Sequence, residues 1–515
     1  MSVADAISIG LAHQSNLVYS WALTPFSSLH LDTASDTPLY RQLADVITGI
    51  IERGSLSIGE KLPPTRELAG QLGLNRTTVS AAYAQLEEAG LIEGHVGRGS
   101  FVVQRSASSE PGPMDWDALF SPSEAGFARP AHNYEINFAN SRPSEDSFPL
   151  AQFRRISKQV IEGPEAAEIL QLGSPHGYGP LRRYLLEQAA AAGIARKGDD
   201  LIVTNGCQQA LDLMARLFAP GGNGIAIEDP VYHGLLRVFP RAGANLFTVP
   251  VMDDGMDVDA LEELIASHHP RVLMITPSFQ NPTGATLPLE RRKRIVELAQ
   301  RFGIVLVEND IYSELRYCGK PLPTLKELDS TGNTILLRSY SKVSFPGLRV
   351  GWVIAPRAVI ARLADAKQLS DLHSDQLSQA VLLRFAESGE LKRHLERTRR
   401  EGAERLNAVL RACKRYLPSK TRFTHPEGGM CLWIELPEPL RAERLLSGVE
   451  ERGVSFLPGR YFSARRSHAR GLRISFGGLT PDQITRGIRI LGETAAEQLA
   501  ATDARASFEP AAALV

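Results

Sequence analysis

Apolar residues recur at Leu39, Leu43, Val46, Ile47, Ile50 and Ile51, the spacing of one helix face, and Gly54 marks the end of that helix. Two shorter patterns follow in "GEKLPPTRELAGQLGLNRTTVSAAYAQLEEAGLIEGHVGRGSFVV". Pro64 and Thr65 open a helix carrying Leu68, Ala69 and Leu72, and Gly73 breaks it. Asn75 caps a second helix whose buried face is Val79, Tyr83 and Leu86. Gly90 ends that helix, and the remainder reads as a strand, a Gly-rich turn and a strand. Residues 104–131 are rich in Ser, Pro and Ala without sustained periodicity and read as a linker. From about residue 135 the pattern changes. Short runs apolar on both faces, "DLIVTN", "GIAIED", "RVLMITP", "IVLVEN", "TILLRSY" and "RVGWVIA", are separated by helical stretches such as Leu289 to Phe302. Strands of that kind predict a mainly parallel sheet covered on both faces by helices, an α/β domain. The expected division is an N-terminal extension over 1–36, a DNA-reading module over 37–104, a linker over 105–134, the α/β domain over 135–495 and a flexible tail over 496–515.

Two short helices joined by a tight turn and followed by a two-stranded wing make the winged helix-turn-helix plan. The second helix would enter the major groove of double-stranded DNA, with Arg76, Thr77, Thr78 and Ser80 outward and Val79 and Tyr83 inward. Arg66 sits where the first helix would meet phosphate, and Arg98 tips a wing whose Gly97 and Gly99 permit close backbone approach. This stretch resembles the DNA-binding domain of the GntR family along nearly its whole length. The resemblance implies phosphate and base contacts at Arg66, Arg76, Thr78, Arg98 and Gly99.

Composition narrows the setting. The 515 residues suggest about three folding units, and 43% hydrophobic with 22% charged residues supports a sizeable core. Net charge is −1, so no global field points to nucleic acid or to a membrane. The four cysteines are scattered with no Cys-x-x-Cys pair, which argues against a zinc site or disulfide framework and fits a reducing cytoplasm. The first forty residues hold no Lys or Arg, unlike a signal peptide, and no apolar run approaches the ~18 residues of a membrane span. A cytoplasmic protein without metal or membrane partner is expected.

The α/β domain carries its own chemistry. In "SYSKVSFPGLRVGW" a lysine, Lys342, follows a short strand, with Ser339, Ser341 and Arg349 beside it. An amine can condense with a carbonyl ligand while hydroxyls and a guanidinium hold that ligand's phosphate. "TNGCQQAL" puts Gly206 and Cys207 at a helix N-terminus, where backbone N–H groups favour an anion. "EDPVYHG" offers the Tyr232 ring for stacking, "PSFQNPTG" offers the Asn281 amide, and "VENDIY" closes a strand with Asn309, Asp310 and Tyr312.

In this order the segments resemble the fold-type I aminotransferases, which hold pyridoxal 5′-phosphate, over about residues 135 to 490. The resemblance implies that Lys342 bonds the cofactor, that Gly206, Cys207, Ser339 and Arg349 hold its phosphate, and that Tyr232 stacks on its ring. Asn281 and Tyr312 would contact its phenolic oxygen, and Arg473 in "GLRISFG" would grip a substrate carboxylate. Tyr178 would reach the phosphate of a neighbouring subunit, implying a homodimer, and a smaller α+β lobe would close the C-terminal side. One position departs. The family's aspartate three residues before the Tyr pairs with the pyridine nitrogen, but here Asn309 stands there and Asp310 follows. Adjacent strand residues face opposite ways, so either a bulge lets Asp310 serve or an amide replaces the carboxylate. A winged helix joined to such a domain resembles the MocR subfamily of GntR regulators, which implies a transcription factor sensing an amino compound or the cofactor itself. The alternatives are a working aminotransferase with a DNA-binding appendage, and a repressor that uses the domain only to dimerise.

Overall fold

The computed structural model describes residues 31–32, 35, 37–52, 55–95, 97–103 and 134–506. Gly54, most of the N-terminal extension and nearly all of the 105–134 linker lie outside them. The chain divides into two compact units between residues 129 and 130.

In the first unit, α1 (Leu39–Glu52), α2 (Thr65–Leu72) and α3 (Arg76–Glu88) precede an antiparallel pair, β1 (Ile92–His95) and β2 (Gly99–Val102). Gly73 ends α2 in the left-handed region at φ 65°, where glycine has no Cβ penalty, and the Asn75 side chain accepts from Thr77 N at 3.3 Å to start α3. Leu43, Ile47, Leu68, Val79 and Leu86 meet in one core. The buried Tyr83 hydroxyl donates to Pro63 O at 2.8 Å and so fixes α3 against the turn before α2. The wing is held at its base, since Leu62 N donates to Ser100 O at 2.9 Å.

The second unit opens with β3 (Ile136–Asn137) and is built on an eight-stranded sheet. Its strands are β4 (Asp199–Asn205), β5 (Gly224–Asp229), β6 (Asn245–Met252), β7 (Gly255–Met256), β8 (Val272–Ile275), β9 (Val305–Asn309), β10 (Thr334–Ser339) and β11 (Val350–Pro356). Their spatial order is β4-β11-β10-β9-β8-β5-β6-β7, with β11 and β7 antiparallel to their neighbours. Leu201 and Val203 of β4 join one core and Ile202 another, as expected of a sheet covered on both faces.

A second sheet of β12 (Arg422–Phe423), β13 (Cys431–Glu435), β15 (Leu457–Pro458) and β16 (Gly471–Ser475) forms the smaller lobe, with β14 (Val454–Ser455) pairing parallel to β3. The final helix covers this lobe from Pro481 to Ala506, so the tail expected from 496 is helical for eleven more residues. Ile484, Ile488, Leu491 and Ala495 are fully buried on one stripe, and Leu499 continues it against the lobe's core. Among the described residues, no helix is long and apolar enough to cross a membrane.

Candidate cofactor and DNA sites

The expected DNA-contacting residues share the surface of the first unit. Arg66, Arg76, Thr77, Ser80, Arg98 and Gly99 are exposed and Thr78 is half-buried. Among the described residues, none of the three arginines is paired with a carboxylate. Replacing one phosphate-contacting arginine by alanine should weaken all DNA sequences alike and lower the salt slope of binding by about one. Losing a base contact should cost about 1–3 kcal/mol at one position. Titration of DNA selected from a random pool, at several salt concentrations, separates the two. Unchanged affinity after triple replacement of Arg66, Arg76 and Arg98 would remove the winged helix from DNA recognition.

In the second unit β4, β5, β8, β9 and β10 run in one direction, and the residues following their carboxyl ends converge on a cavity of about 330 Å³. That is where open α/β sheets place ligands. Gly206 begins a thirteen-residue helix after β4, and Asn205 provides no side-chain cap, so its first N–H groups remain available to an anion. Gly206 has φ 74°, and a Cβ there would lie 2.4 Å from Arg349 Nη2. Gly351 lets this turn close, because its own Cβ would meet the Gly206 backbone at 2.8 Å. The Ser339 hydroxyl lies 3.0 Å from both Val350 O and Ser341 Oγ, with one proton to donate to either, and Arg349 Nη1 donates to Ser341 Oγ at 3.3 Å. Two hydroxyls, a guanidinium and a helix N-terminus therefore form one anion cup. Cys207 lines it as a neutral thiol, since burial pushes its pKa to about 12.

Lys342 faces the same cavity. Burial, with Arg473 and Arg349 adding repulsion, lowers its pKa from the ordinary 10.5 to about 8. A fraction of the amine is thus unprotonated near neutral pH. The rate of covalent attachment of a carbonyl ligand should fall about tenfold per pH unit below 8 and level above it. Stopped-flow absorbance with pyridoxal phosphate measures this, and an inflection near the ordinary lysine value would contradict it.

Arg473, on β16, is 2% exposed and donates to Asn281 Oδ1 at 3.0 Å and to Ala139 O. Asn281 Nδ2 donates in turn to the Tyr312 hydroxyl at 3.4 Å. Tyr232 donates to Gln208 Oε1 at 3.2 Å, and beside it burial and Arg473 hold His233 neutral, with a pKa of about 4.

The departure at Asn309 is resolved by register. β9 runs unbulged against β10, Leu336 beside Glu308 and Leu337 beside Asn309, and Asp310 N donates to Leu337 O at 2.9 Å. Asn309 therefore lines the cavity, its Nδ2 donating weakly to Thr276 Oγ1 at 3.5 Å while its Oδ1 is buried without a partner. Asp310 turns to the other face, where Arg338 binds it at 2.7 and 2.9 Å; the expectation that Asp310 contacts the cofactor is corrected. Among the described residues lining the cavity there is no carboxylate, against three cations, Lys342, Arg349 and Arg473.

Tyr178 lies outside this cavity. Its side chain is 7% exposed and packs in its own unit's core with Ile156, Val160 and Ile169, away from this cavity. Its backbone N donates to Gln379 Oε1 at 2.8 Å. Conversely, Ala139, Asn140, Ser141, Gln208 and His233 line the cavity without having been expected there. Gln208 and His233 lie inside motifs already singled out, whereas residues 139–141 carry no local signature.

These residues suit pyridoxal 5′-phosphate. An anion cup, an amine, an aromatic ring and two buried polar atoms without partners, Asn309 Oδ1 and Arg473 Nε, surround one space. Residues 136–491 match the family Aminotransferase class I and II, and residues 39–102 match the bacterial regulatory proteins of the gntR family. Over 90% of its length the chain is 30% identical to the probable rhizopine catabolism regulatory protein MocR of Rhizobium meliloti, covering 95% of that protein. The chain belongs to the MocR-type GntR regulators. Such a regulator pairs a DNA-binding module with an aminotransferase domain. For that domain, a kynurenine aminotransferase of Pyrococcus horikoshii, solved in complex with PMP, is 33% identical with a TM-score of 0.69, covering 72% of this chain and 92% of that one. The α-aminoadipate aminotransferase of Thermus thermophilus, complexed with N-(5′-phosphopyridoxyl)-L-leucine, is 36% identical with a TM-score of 0.67, covering 71% and 93%.

Proposed function

We propose that this MocR-type regulator senses an amino compound, or the cofactor itself, through pyridoxal 5′-phosphate held on Lys342, and that occupancy shifts a cytoplasmic homodimer between states of different DNA affinity. The observation that carries this reading is a cavity complete for the cofactor yet lined by Asn309 and no carboxylate. Gly206, Cys207, Ser339, Ser341 and Arg349 would bind the phosphate, and Tyr232 would cover the ring. Asn281 and Tyr312 would hold the phenolic oxygen, Asn309 would meet the pyridine nitrogen, and Arg473 would take an effector carboxylate in a two-pronged grip.

Bound pyridoxal phosphate supplies a carbonyl carbon that joins amines reversibly and an electron sink that acidifies the neighbouring C–H. Lys342 provides the exchangeable amine, poised by its lowered pKa. Arg349 would neutralise the phosphate, and His233 stays uncharged beside Arg473, so it would not compete for the carboxylate. Asn309 can hydrogen-bond the ring nitrogen but, being neutral, does little to hold a proton there. Amine exchange at Lys342 needs no such proton, whereas C–H cleavage benefits from it. The arrangement binds an amine without consuming it.

The test follows absorbance and DNA affinity together while amino acids are added to the protein loaded with pyridoxal phosphate. One amine should change the spectrum rapidly and shift DNA affinity about fivefold or more. Steady turnover with an amino donor and a keto acid would place the protein among working aminotransferases instead.

A further inference from the structure

The chain enters the second unit along β3, and its next few residues cross from the smaller lobe to the cavity. Residues 136–138 belong to the lobe: Phe138 N donates to Ser455 O at 2.8 Å, Ser475 N donates to Phe138 O at 3.0 Å, and the Phe138 ring is fully buried. Asn137 then fixes the turn, its Oδ1 accepting from Ala139 N at 2.9 Å. Beyond that turn the backbone lies on the cations. Ala139 O accepts from Arg473 and Ser141 O accepts from Lys342 Nζ. With no carboxylate in the cavity, two peptide carbonyls from one three-residue stretch partner two of its three cations. The same stretch lies within ten residues of residue 134, where the expected linker from the DNA-binding module ends.

Ligands remove both contacts. As an ammonium, Lys342 carries three N–H bonds; on joining a carbonyl carbon, two of those protons leave with the carbonyl oxygen as water, and one N–H at most remains. A carboxylate at Arg473 is a charged acceptor, roughly twice as strong as the neutral carbonyl it displaces. Both contacts are part-buried, so carbonyls displaced from their cations turn to new partners or water and the segment moves with them. We propose that residues 139–142 are the internal placeholder of the effector site, seated on Lys342 and Arg473 when it is empty and released on occupancy, and that their release passes the signal to the linker. This rests on the assignment of Lys342 and Arg473 as ligand-binding residues. The segment has the two arrangements with different ligand contacts that any such coupling requires.

Hydrogen–deuterium exchange on the full-length protein tests this, in the cofactor-free form, with pyridoxal phosphate, and with N-(5′-phosphopyridoxyl)-L-leucine. Exchange across 139–142 should quicken by about fivefold or more with either probe, alongside a change in affinity for DNA selected from a random pool. Asn137→Ala, which loosens the turn without touching the cavity, should keep cofactor binding within about twofold and lose most of the ligand effect on DNA affinity. A wild type that does not bind pyridoxal phosphate covalently would sink the assignment of Lys342 and this proposal with it. Covalent binding with unchanged exchange at 139–142 would overturn the placeholder alone. Quickened exchange without any DNA response, or with the full response kept in Asn137→Ala, would show a segment that moves without transmitting, and would also overturn it.

Discussion

Asn309→Asp should speed C–H cleavage of a bound amino acid at least tenfold, turning a binding domain towards a transferase. The expectation follows from what surrounds the side chain. Asn309 Oδ1 is buried without a partner in a cavity lined by three cations and no anion, so an aspartate there gains favourable charge from Lys342, Arg349 and Arg473. With the cofactor in place, the new carboxylate favours a proton on the ring nitrogen, and charge-assisted hydrogen bonds are roughly twice as strong as neutral ones. A gain of about 1.4 kcal/mol in the barrier is a factor of ten in rate. Single-turnover absorbance with an amino donor reads the effect, and the amine-exchange step should change far less. An efficient wild-type enzyme, or a variant no faster than wild type, would contradict the role given to Asn309. Asp310 offers an internal contrast. Its carboxylate is held by Arg338 on the far side of β9, and Asp310→Asn should disturb folding stability rather than the spectrum of the cofactor.

Lys342→Ala should leave the protein colourless with pyridoxal phosphate, while borohydride reduction of the wild type should fix the cofactor on that residue. The variant should still fold. Lys342 is an ammonium placed beside two guanidinium groups, and its depressed pKa means that the folded state disfavours its charged form. The sign follows directly. Below pH 8 the lysine is charged in both folded and unfolded chains and weakens the fold; between 8 and 10.5 the folded protein releases its proton first and stability recovers. Cofactor-free wild type should therefore gain stability relative to Lys342→Ala as pH rises through that window, and the variant should be at least as stable at neutral pH. Denaturant titrations at several pH values check this. A variant that fails to fold at neutral pH, or a wild type that colours without modification of Lys342, would refute the assignment.

Much of this protein was legible locally. Asn75 as a cap, Gly73 as a stop and the Val79, Tyr83 and Leu86 stripe depend on neighbours a few residues away, and α3 forms as they predict. The doubly apolar strands likewise specify a covered sheet, because period and burial are written into each strand separately. The motifs around Gly206, Asn281, Ser339 and Lys342 sit at strand ends, so the parallel sheet itself carries them to one place. The helix beyond residue 495 was missed because its stripe thins to Leu499, whose partner is a lobe core built from distant segments.

By itself, the sequence determined the winged helix, the mainly parallel sheet and the set of groups that gather at its carboxyl edge. Only the tertiary structure decided which of two neighbouring side chains faces the cavity. Asn309 does so because β9 keeps an unbulged register against β10 and because Arg338, on that adjacent strand, draws Asp310 to the opposite face. Only the structure set Ala139 and Ser141 carbonyls on Arg473 and Lys342. Backbone carbonyls are the same at every residue, so contacts made by them leave no trace in side-chain identity; they exist only once segments remote in sequence have packed together.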